Sequence, residues 1–192
     1  MDNNVSKLLN QISDSQRKSI PSSINRGLEK ESLRISHGGD ISQQGHPAGL
    51  GSSLTNSYIT TDYSEALLEF ITPATNSIDN LLEFLKDLHT FTHDNLENET
   101  LWVNSMPSIL QGEGSIPIAY YGKSNIGQMK TIYRQGLAHR YGKIMQTISG
   151  IHFNFSLDDD FWTTYLDIKK SKLSLRHFKS GEYLGLIRNL YR

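Results

Sequence analysis

The sequence predicts an α+β fold, because segments with two different hydrophobic periods follow one another along its 192 residues. A helical period, with apolar residues three and four apart, begins near residues 5, 77, 124 and 158. Segments 58–72 and 145–157 are rich in β-branched and aromatic residues, and together with segment 28–36 they predict three strands. Helices and strands are therefore expected to form one sheet backed by helices.

The helices are predicted from their apolar faces and their capping residues. The first, containing Val5 and Ile12, should end before Pro21. Ser77 is a suitable N-cap for the second, which should run to about residue 95. Ser124 or Asn125 would cap the third, which ends near residue 141, and the pattern is helical again from residue 158 to the end of the chain.

The strands and loops are predicted from alternation and from turn residues. Segment 37–40 is typical of a hairpin turn, and 42–56 is a loop with one helical turn after Pro47. In the third strand, alternation separates two faces. We expect the apolar face to be core and the polar face to border solvent or a site; the apolar members are Ile151, Phe153, Phe155 and Leu157, and the polar ones are His152, Asn154 and Ser156.

Composition and charge exclude several classes of protein. The net charge of −1 gives no electrostatic reason to expect nucleic acid or an anionic membrane as a partner. No apolar run approaches the roughly 20 residues of a membrane span. The first residues do not resemble a signal peptide, and without cysteine the chain has no disulfide or thiolate metal site. We therefore expect a cytoplasmic protein.

Acidic residues recur on two of the predicted strands. Glu29 and Glu31 lie two apart and share a face. Glu65 and Glu69 lie four apart and also share a face, and Asp62 comes just before this second pair. Carboxylates among apolar residues are costly unless a positive partner holds them. A hard divalent cation with oxygen ligands is the usual partner, which predicts a magnesium site. The alternative is a charged strand edge that simply faces water.

His152 and Arg134 are weaker candidates. A lone histidine is more often a core residue bonded to a backbone carbonyl, but His152 shares its face with Asn154 and Ser156. Arg134 could hold a substrate carboxylate through two nitrogens, or could pair with an acidic residue at the surface. Glycine-rich segments 49–53 and 122–125 do not match a phosphate-binding loop and are interpreted as turns.

Taken together, these segments resemble the glutamate–cysteine ligase family in its proteobacterial form. The resemblance is collinear over roughly residues 20–157 and weaker beyond. It is carried by residues 26–34, 45–47, 50–55, 59–73, 101–102, 105–107, 121–122, 124–125, 133–137 and 145–156.

The resemblance implies a glutamine-synthetase-like fold, in which a mainly antiparallel sheet forms a funnel backed by helices. It also implies an ATP-dependent ligase. ATP phosphorylates the γ-carboxylate of L-glutamate, and the amine of L-cysteine displaces phosphate, which is the first step of glutathione biosynthesis. A carboxylate cluster without a protein nucleophile suits phosphoryl transfer, which depends on metal ions and positioning.

The resemblance also implies roles for individual residues. Tyr63 and Tyr133 would border the cysteine pocket, and Arg134 would contact a substrate carboxylate. Mg²⁺ is the expected metal, with Mn²⁺ as an alternative, and ATP is the co-substrate. No residue is assigned to a covalent step. The metal-binding positions would be Glu29, Glu31, Asp62, Glu69 and His152.

Length sets the expected organisation. Members of this family have several hundred residues, and their later segments carry much of the ATP contact. Residues 1–192 are therefore expected to be the N-terminal portion of a single catalytic domain, with the C-terminal portion absent and no activity by themselves. The alternatives are a non-catalytic remnant of the enzyme and a related ligase that uses another amine.

Overall fold

The computed structural model describes residues 3–14 and 24–191. Its α-helices are α1 (Asn3–Asp14), α2 (Ile78–Asp94), α3 (Asn125–Tyr141), α4 (Asp159–Ile168) and α5 (Leu175–Leu190). Its strands are β1 (Ile24–Ser36), β2 (Ile59–Thr61), β3 (Leu67–Ile71), β4 (Glu99–Leu101) and β5 (Ile151–Leu157). The predicted α+β class is confirmed, while the predicted approach to Pro21 lies outside the described residues.

The strands form one sheet around β1. The order is β2-β3-β1-β4, and β5 also pairs with β1. The β1–β3, β1–β4 and β2–β3 pairs are antiparallel, as expected. The predicted turn follows β1, where Gly39 adopts φ +88° and its N–H donates to the carbonyl of Ser36. Glycine suits this position because other residues rarely adopt positive φ.

The prediction of one strand over residues 58–72 is wrong, because the chain reverses between β2 and β3. The N–H of Asp62 donates to the carbonyl of Leu67, and the N–H of Leu67 donates to that of Ser64. The hydroxyl of Ser64 also accepts the N–H of Ala66. These local bonds close a tight turn, so strand alternation does not continue through residues 62–66.

The two faces of the sheet carry two separate groups of packed apolar side chains. On one face Leu33 and Leu67, which lie opposite each other, pack with Tyr63 and Ile116. On the other face Leu68 and Phe70 pack with Leu88 of α2. Burial on both faces fixes the register of β1 against β3, because a shift of one residue would exchange the faces.

Helices α2 and α3 begin where the capping residues predict. The hydroxyl of Ser77 accepts the N–H of Asn80, and that of Ser124 accepts the N–H of Gly127. Gly127 is required by close packing, since a Cβ there would lie 2.5 Å from the carbonyl oxygen of Tyr121. The start of α3 is thereby held against the chain at residues 121–122.

The third predicted strand differs from the observed one in extent and burial. A short 3₁₀ helix occupies Ile144–Thr147, and β5 begins only at Ile151. The apolar face was expected to be core, yet Ile151 is 64 % exposed and Phe153 59 % exposed. The prediction is wrong because alternation separates two faces without showing that anything covers either, and β5 lies at an edge of the described sheet.

The chain divides into two compact units, residues 27–154 and residues 1–26 with 155–192. In the second unit α4 packs against α1 and α5. Trp162 is 3 % exposed and lies 4.9 Å from the ring of Tyr183. Within the described residues, no helix combines the length and the apolar character needed to span a bilayer.

Candidate metal and substrate site

Two strands of unit 27–154, β1 and β3, bring acidic side chains to one face of the sheet. Glu29 and Glu31 lie on β1, and Glu31 lies directly opposite Glu69 of β3. Like charges in directly opposed positions destabilise a sheet. The predicted shared face of Glu29 and Glu31 is therefore present, and Glu69 joins it by cross-strand pairing.

The polar face of β5 supplies two partners for Glu29. Nδ1 of His152 lies 3.2 Å from one carboxylate oxygen of Glu29, and the amide nitrogen of Asn154 donates to the other at 2.9 Å. His152 is itself exposed, and about a third of the Glu29 side chain is accessible. Because both oxygens of Glu29 are engaged, its carboxylate is oriented before any ligand binds.

One group of side chains has the spacing of a metal site. One ligand atom from each of Glu29, Glu69 and His152 lies within 4.8 Å of the others. Ligands on opposite sides of a magnesium ion are about 4 Å apart, so modest side-chain movement would bring these atoms into contact with one ion. Two carboxylates and one imidazole are also a suitable donor set for Mn²⁺.

Glu31 lies beside this group and is held by the segment that leads into β5. Its carboxylate accepts the N–H of Gly150 at 2.7 Å, and its own N–H donates to the carbonyl of Gly150 at 3.0 Å. One oxygen remains outside this contact. The reciprocal pair fixes Glu31 at the border between β1 and β5.

The electrostatics of the group favour a bound cation. Burial, together with the nearby charges of Asp62, Glu31 and Glu29, raises the pKa of Glu69 to about 7, while His152 opposes the shift. Burial likewise raises the pKa of Glu31 and of Asp62. A divalent cation would stabilise the ionised forms that this environment disfavours.

Asp62 is the first residue of the turn between β2 and β3. Its backbone carbonyl accepts Nε of Arg134, and Nη1 of Arg134 donates to the carbonyl of Lys130 at 3.0 Å. The positive charge of Arg134 lowers the pKa of Asp62, against the larger effect of burial. The structure therefore joins Arg134 of α3 to the acidic group through Asp62.

The two tyrosines predicted to border a substrate occupy different surroundings. Tyr63 is 1 % exposed, packs with Leu33 and Leu67 in the core, and buries a hydroxyl that has no hydrogen-bond partner among the described residues. Tyr133 is 63 % exposed on α3, next to Arg134. Only Tyr133 presents its ring at the surface.

Glu65 does not join Glu69, contrary to the alternation argument. It lies in the turn after β2, where one carboxylate oxygen accepts the N–H of His46 at 2.9 Å and the other accepts that of Tyr120 at 2.7 Å. Its charge is thus used to hold two loops together. The error follows from treating residues 58–72 as one strand.

Two contacting residues were not selected as site candidates from the sequence. Asn154 had the same strand parity as His152, which was the available signal. Tyr121 belongs to residues 121–122, one of the motifs that carry the family resemblance, but no site role was assigned to it. In the structure its hydroxyl donates to the carbonyls of Thr61 at 2.6 Å and Asp62 at 3.3 Å.

An antiparallel sheet that carries a carboxylate cluster on one face defines this chain as an α+β protein with a candidate metal site. The family model for glutamate–cysteine ligase matches residues 9–192. The chain therefore belongs to the glutamate–cysteine ligase family.

Two curated relatives illustrate the sequence similarity. A glutamate–cysteine ligase of Hahella chejuensis is 56 % identical over 170 residues, covering 88 % of this chain and 32 % of the relative. One of Pseudoalteromonas translucida is 50 % identical over 188 residues, covering 98 % of this chain and 36 % of the relative. The chain thus spans about a third of the length of these relatives.

Two solved structures share the fold. Glutamate–cysteine ligase of Francisella tularensis in complex with AMP aligns with a TM-score of 0.76 and 45 % identity, over 82 % of this chain and 31 % of that one. A bifunctional glutathione synthetase of Pasteurella multocida aligns with a TM-score of 0.81 and 32 % identity, over 94 % and 23 %. These alignments confirm that the predicted fold is that of the family.

Proposed function

We propose that this chain is the N-terminal portion of the catalytic domain of a glutamate–cysteine ligase, and that it supplies the domain's metal-binding wall. The whole enzyme would join the γ-carboxylate of L-glutamate to the amine of L-cysteine through γ-glutamyl phosphate, with ATP as co-substrate. The family match and the relatives' names support this reaction. A cytoplasmic location is part of this proposal.

The observation that carries the proposal is the acidic group on the sheet face. Glu29, Glu69 and His152 would hold Mg²⁺ or Mn²⁺, and Glu31 and Asp62 border them closely enough to affect the pKa of Glu69. Such an ion neutralises charge on phosphate oxygens during phosphoryl transfer. The described residues themselves orient ligands: Asn154 holds Glu29, and Gly150 holds Glu31.

Arg134 and Tyr133 would meet the amino-acid substrates. The guanidinium of Arg134 lies at the edge of the acidic group, so it can attract a substrate carboxylate. The exposed ring of Tyr133 would border the cysteine pocket. Tyr63 has no surface through which to do the same, so its contribution would be to support the turn that carries Asp62.

The ATP site would be completed by other parts of the enzyme. The Francisella structure holds AMP, which supports an adenine nucleotide as a ligand of the family. The acidic group would contribute metal ligands to that site. Since the chain spans about a third of its relatives, we expect 1–192 to show no ligase turnover when purified alone.

A chimera tests the proposed function directly. The matching stretch of the Hahella relative would be replaced by this chain, and γ-glutamylcysteine formation would be followed together with phosphate release. We expect product only when glutamate, cysteine, ATP and Mg²⁺ are all present. The double variant Glu29→Gln/Glu69→Gln should abolish product, whereas Glu83→Gln, on the exposed side of α2, should not.

Two outcomes of the chimera experiment would contradict the proposal. A folded chimera that forms no product, beside an active Hahella parent, would show that this chain is a non-catalytic remnant. A chimera that releases phosphate faster with another amine than with cysteine would show a related ligase with different specificity.

A further inference from the structure

The backbone at Asp62 is held from outside the sheet. Asp62 follows the last residue of β2, so its carbonyl lies beyond the β2–β3 pairing. That carbonyl accepts Nε of Arg134, and the hydroxyl of Tyr121 donates to it at 3.3 Å and to the carbonyl of Thr61 at 2.6 Å. Two donors thus set the position of Asp62, whose side chain borders the acidic group.

Tyr121 also holds Arg134 through its ring. The guanidinium carbon of Arg134 lies 4.7 Å from the ring centroid, and Nζ of Lys130 lies 4.8 Å from it. Tyr121 is 5 % exposed, and these contacts between a cation and an aromatic face are strengthened by exclusion of water. One buried side chain therefore touches both the Asp62 backbone and the Arg134 side chain.

We propose that Tyr121 is a positioning residue that fixes Asp62 and Arg134 relative to each other, so that metal and substrate carboxylate are held in one geometry. This inference rests on the proposed function, because it assigns a role towards the same site. Tyr121 acts through its two neighbours and need not touch a ligand.

The use of the hydroxyl distinguishes this role from simple core packing. Tyr63 is also buried, and its hydroxyl has no hydrogen-bond partner among the described residues. A buried tyrosine ring in this fold therefore does not by itself require its hydroxyl to form a hydrogen bond. The hydroxyl of Tyr121 instead donates to two consecutive carbonyls, that of Thr61, which precedes Asp62, and that of Asp62 itself. Such partners behind a ligand commonly affect metal affinity.

The test measures Mn²⁺ binding by the full 192-residue chain, with free Mn²⁺ counted by electron paramagnetic resonance. Tyr121→Phe keeps the ring against Arg134 and removes only the hydroxyl, and we expect it to weaken Mn²⁺ binding about tenfold. Tyr120→Phe makes the same change at the neighbouring, 56 % exposed ring and should leave the affinity unchanged. Thermal unfolding of each variant identifies any general loss of fold.

A double-variant cycle with Arg134→Gln separates positioning from stability. Both side chains act on the Asp62 carbonyl, so the combined variant should weaken Mn²⁺ binding by clearly less than the product of the two single effects. If Tyr121→Phe does not fold, Arg134→Gln alone must still weaken binding, since it removes the other donor.

The outcomes distinguish failure of the role assigned to Tyr121 from failure of the proposed function. If the wild type binds Mn²⁺ and Tyr121→Phe binds it equally tightly, this inference is overturned and the proposed function stands. Independent, fully additive effects of Tyr121→Phe and Arg134→Gln would also overturn it. Absence of Mn²⁺ binding by the folded wild-type chain would overturn the proposed function and this inference with it.

Discussion

Glu31 and Glu69 face each other directly across two paired strands. Sequence parity predicted that Glu29 and Glu31 share a face, but nothing in the sequence gives the register of β1 against β3. Pairing of Leu33 with Leu67 in the core supplies that register. The acidic cluster is thus a consequence of apolar burial elsewhere on the same strands.

The sequence could not predict how Arg134 is held. Its approach to the Asp62 carbonyl depends on how the start of α3 packs at residues 121–122, which is a tertiary contact. The resemblance pointed to Arg134, whereas local pattern favoured a surface ion pair. Site residues on strands were therefore more accessible to sequence reasoning than those fixed by helix packing.

Glu69→Gln should stabilise the metal-free chain at alkaline pH. The folded state raises the pKa of Glu69 from 4.5 to about 7, so the folded state binds the proton more tightly than the unfolded state. Its contribution to stability is present at low pH and is lost as pH rises through about 7. With EDTA present, we expect Glu69→Gln to raise the melting temperature more at pH 8 than at pH 5.

Scanning calorimetry checks this, with Glu83→Gln on the exposed side of α2 as the matched control. The control should shift the melting temperature equally at both pH values. A Glu69→Gln variant that is destabilised at pH 8 in EDTA would show that the ionised carboxylate is already compensated within the chain.

Glu99→Gln should destabilise the fold. The fully buried Arg34 donates to Glu99 at 2.6 Å and to the backbone carbonyls of Gln44 and Glu65, both at 2.9 Å. Removing the charge of Glu99 leaves a buried guanidinium uncompensated, which costs about 3 kcal/mol. Urea unfolding measures the loss, and Glu97→Gln, two residues away and exposed, is the control. Equal midpoints for the two variants would refute the account of this ion pair.

At the scale of elements, the hairpin of β2 and β3 shows where pattern reasoning failed. Residues 58–72 have strand-like composition throughout, yet Ser64 closes a turn with its own backbone and side chain. The turn contains neither glycine nor proline, the strongest turn signals, and only Asp62 and Ser64 mark it. The starts of α2 and α3, by contrast, were predicted correctly because Ser77 and Ser124 are local capping signals, whereas the break between α4 and α5 was not predicted.

Phe153→Thr should reduce self-association of the chain. Phe153 lies on the exposed apolar face of β5, an edge strand of the described sheet, and such surfaces promote association. Threonine keeps a high strand propensity while removing the aromatic surface. We expect several-fold slower growth of light scattering on warming. Val103→Thr, at an 87 % exposed position outside any strand, serves as the control.

The interpretation of β5 would be contradicted if Phe153→Thr and Val103→Thr had the same effect on light scattering. Association would then follow total exposed apolar area rather than this strand. The same result would indicate that the edge of β5 is not a preferred contact surface.

For the whole molecule, the family and the fold class were predictable because many short motifs occur in order along the chain. The family match covers residues 9–192, and the structural alignments extend over most of the chain. The exposure of β5 was not predictable from its alternation, since whether a strand face is buried depends on which other elements pack against it. The candidate metal site is assembled from three strands that the sequence separates by up to 123 residues, as in the contact between Glu29 and His152.

We propose that the acidic face of the sheet binds a divalent cation, and the rest of the proposed function depends on this binding. The most direct measurement is a Mn²⁺ titration of the 192-residue chain at pH 8, comparing the wild type with Glu29→Gln/Glu69→Gln and with the control Glu83→Gln. We expect the wild type and Glu83→Gln to bind Mn²⁺ saturably, with Mg²⁺ displacing it, and we expect Glu29→Gln/Glu69→Gln to lose this binding. Equal binding by all three proteins, or none by the folded wild type, would contradict it.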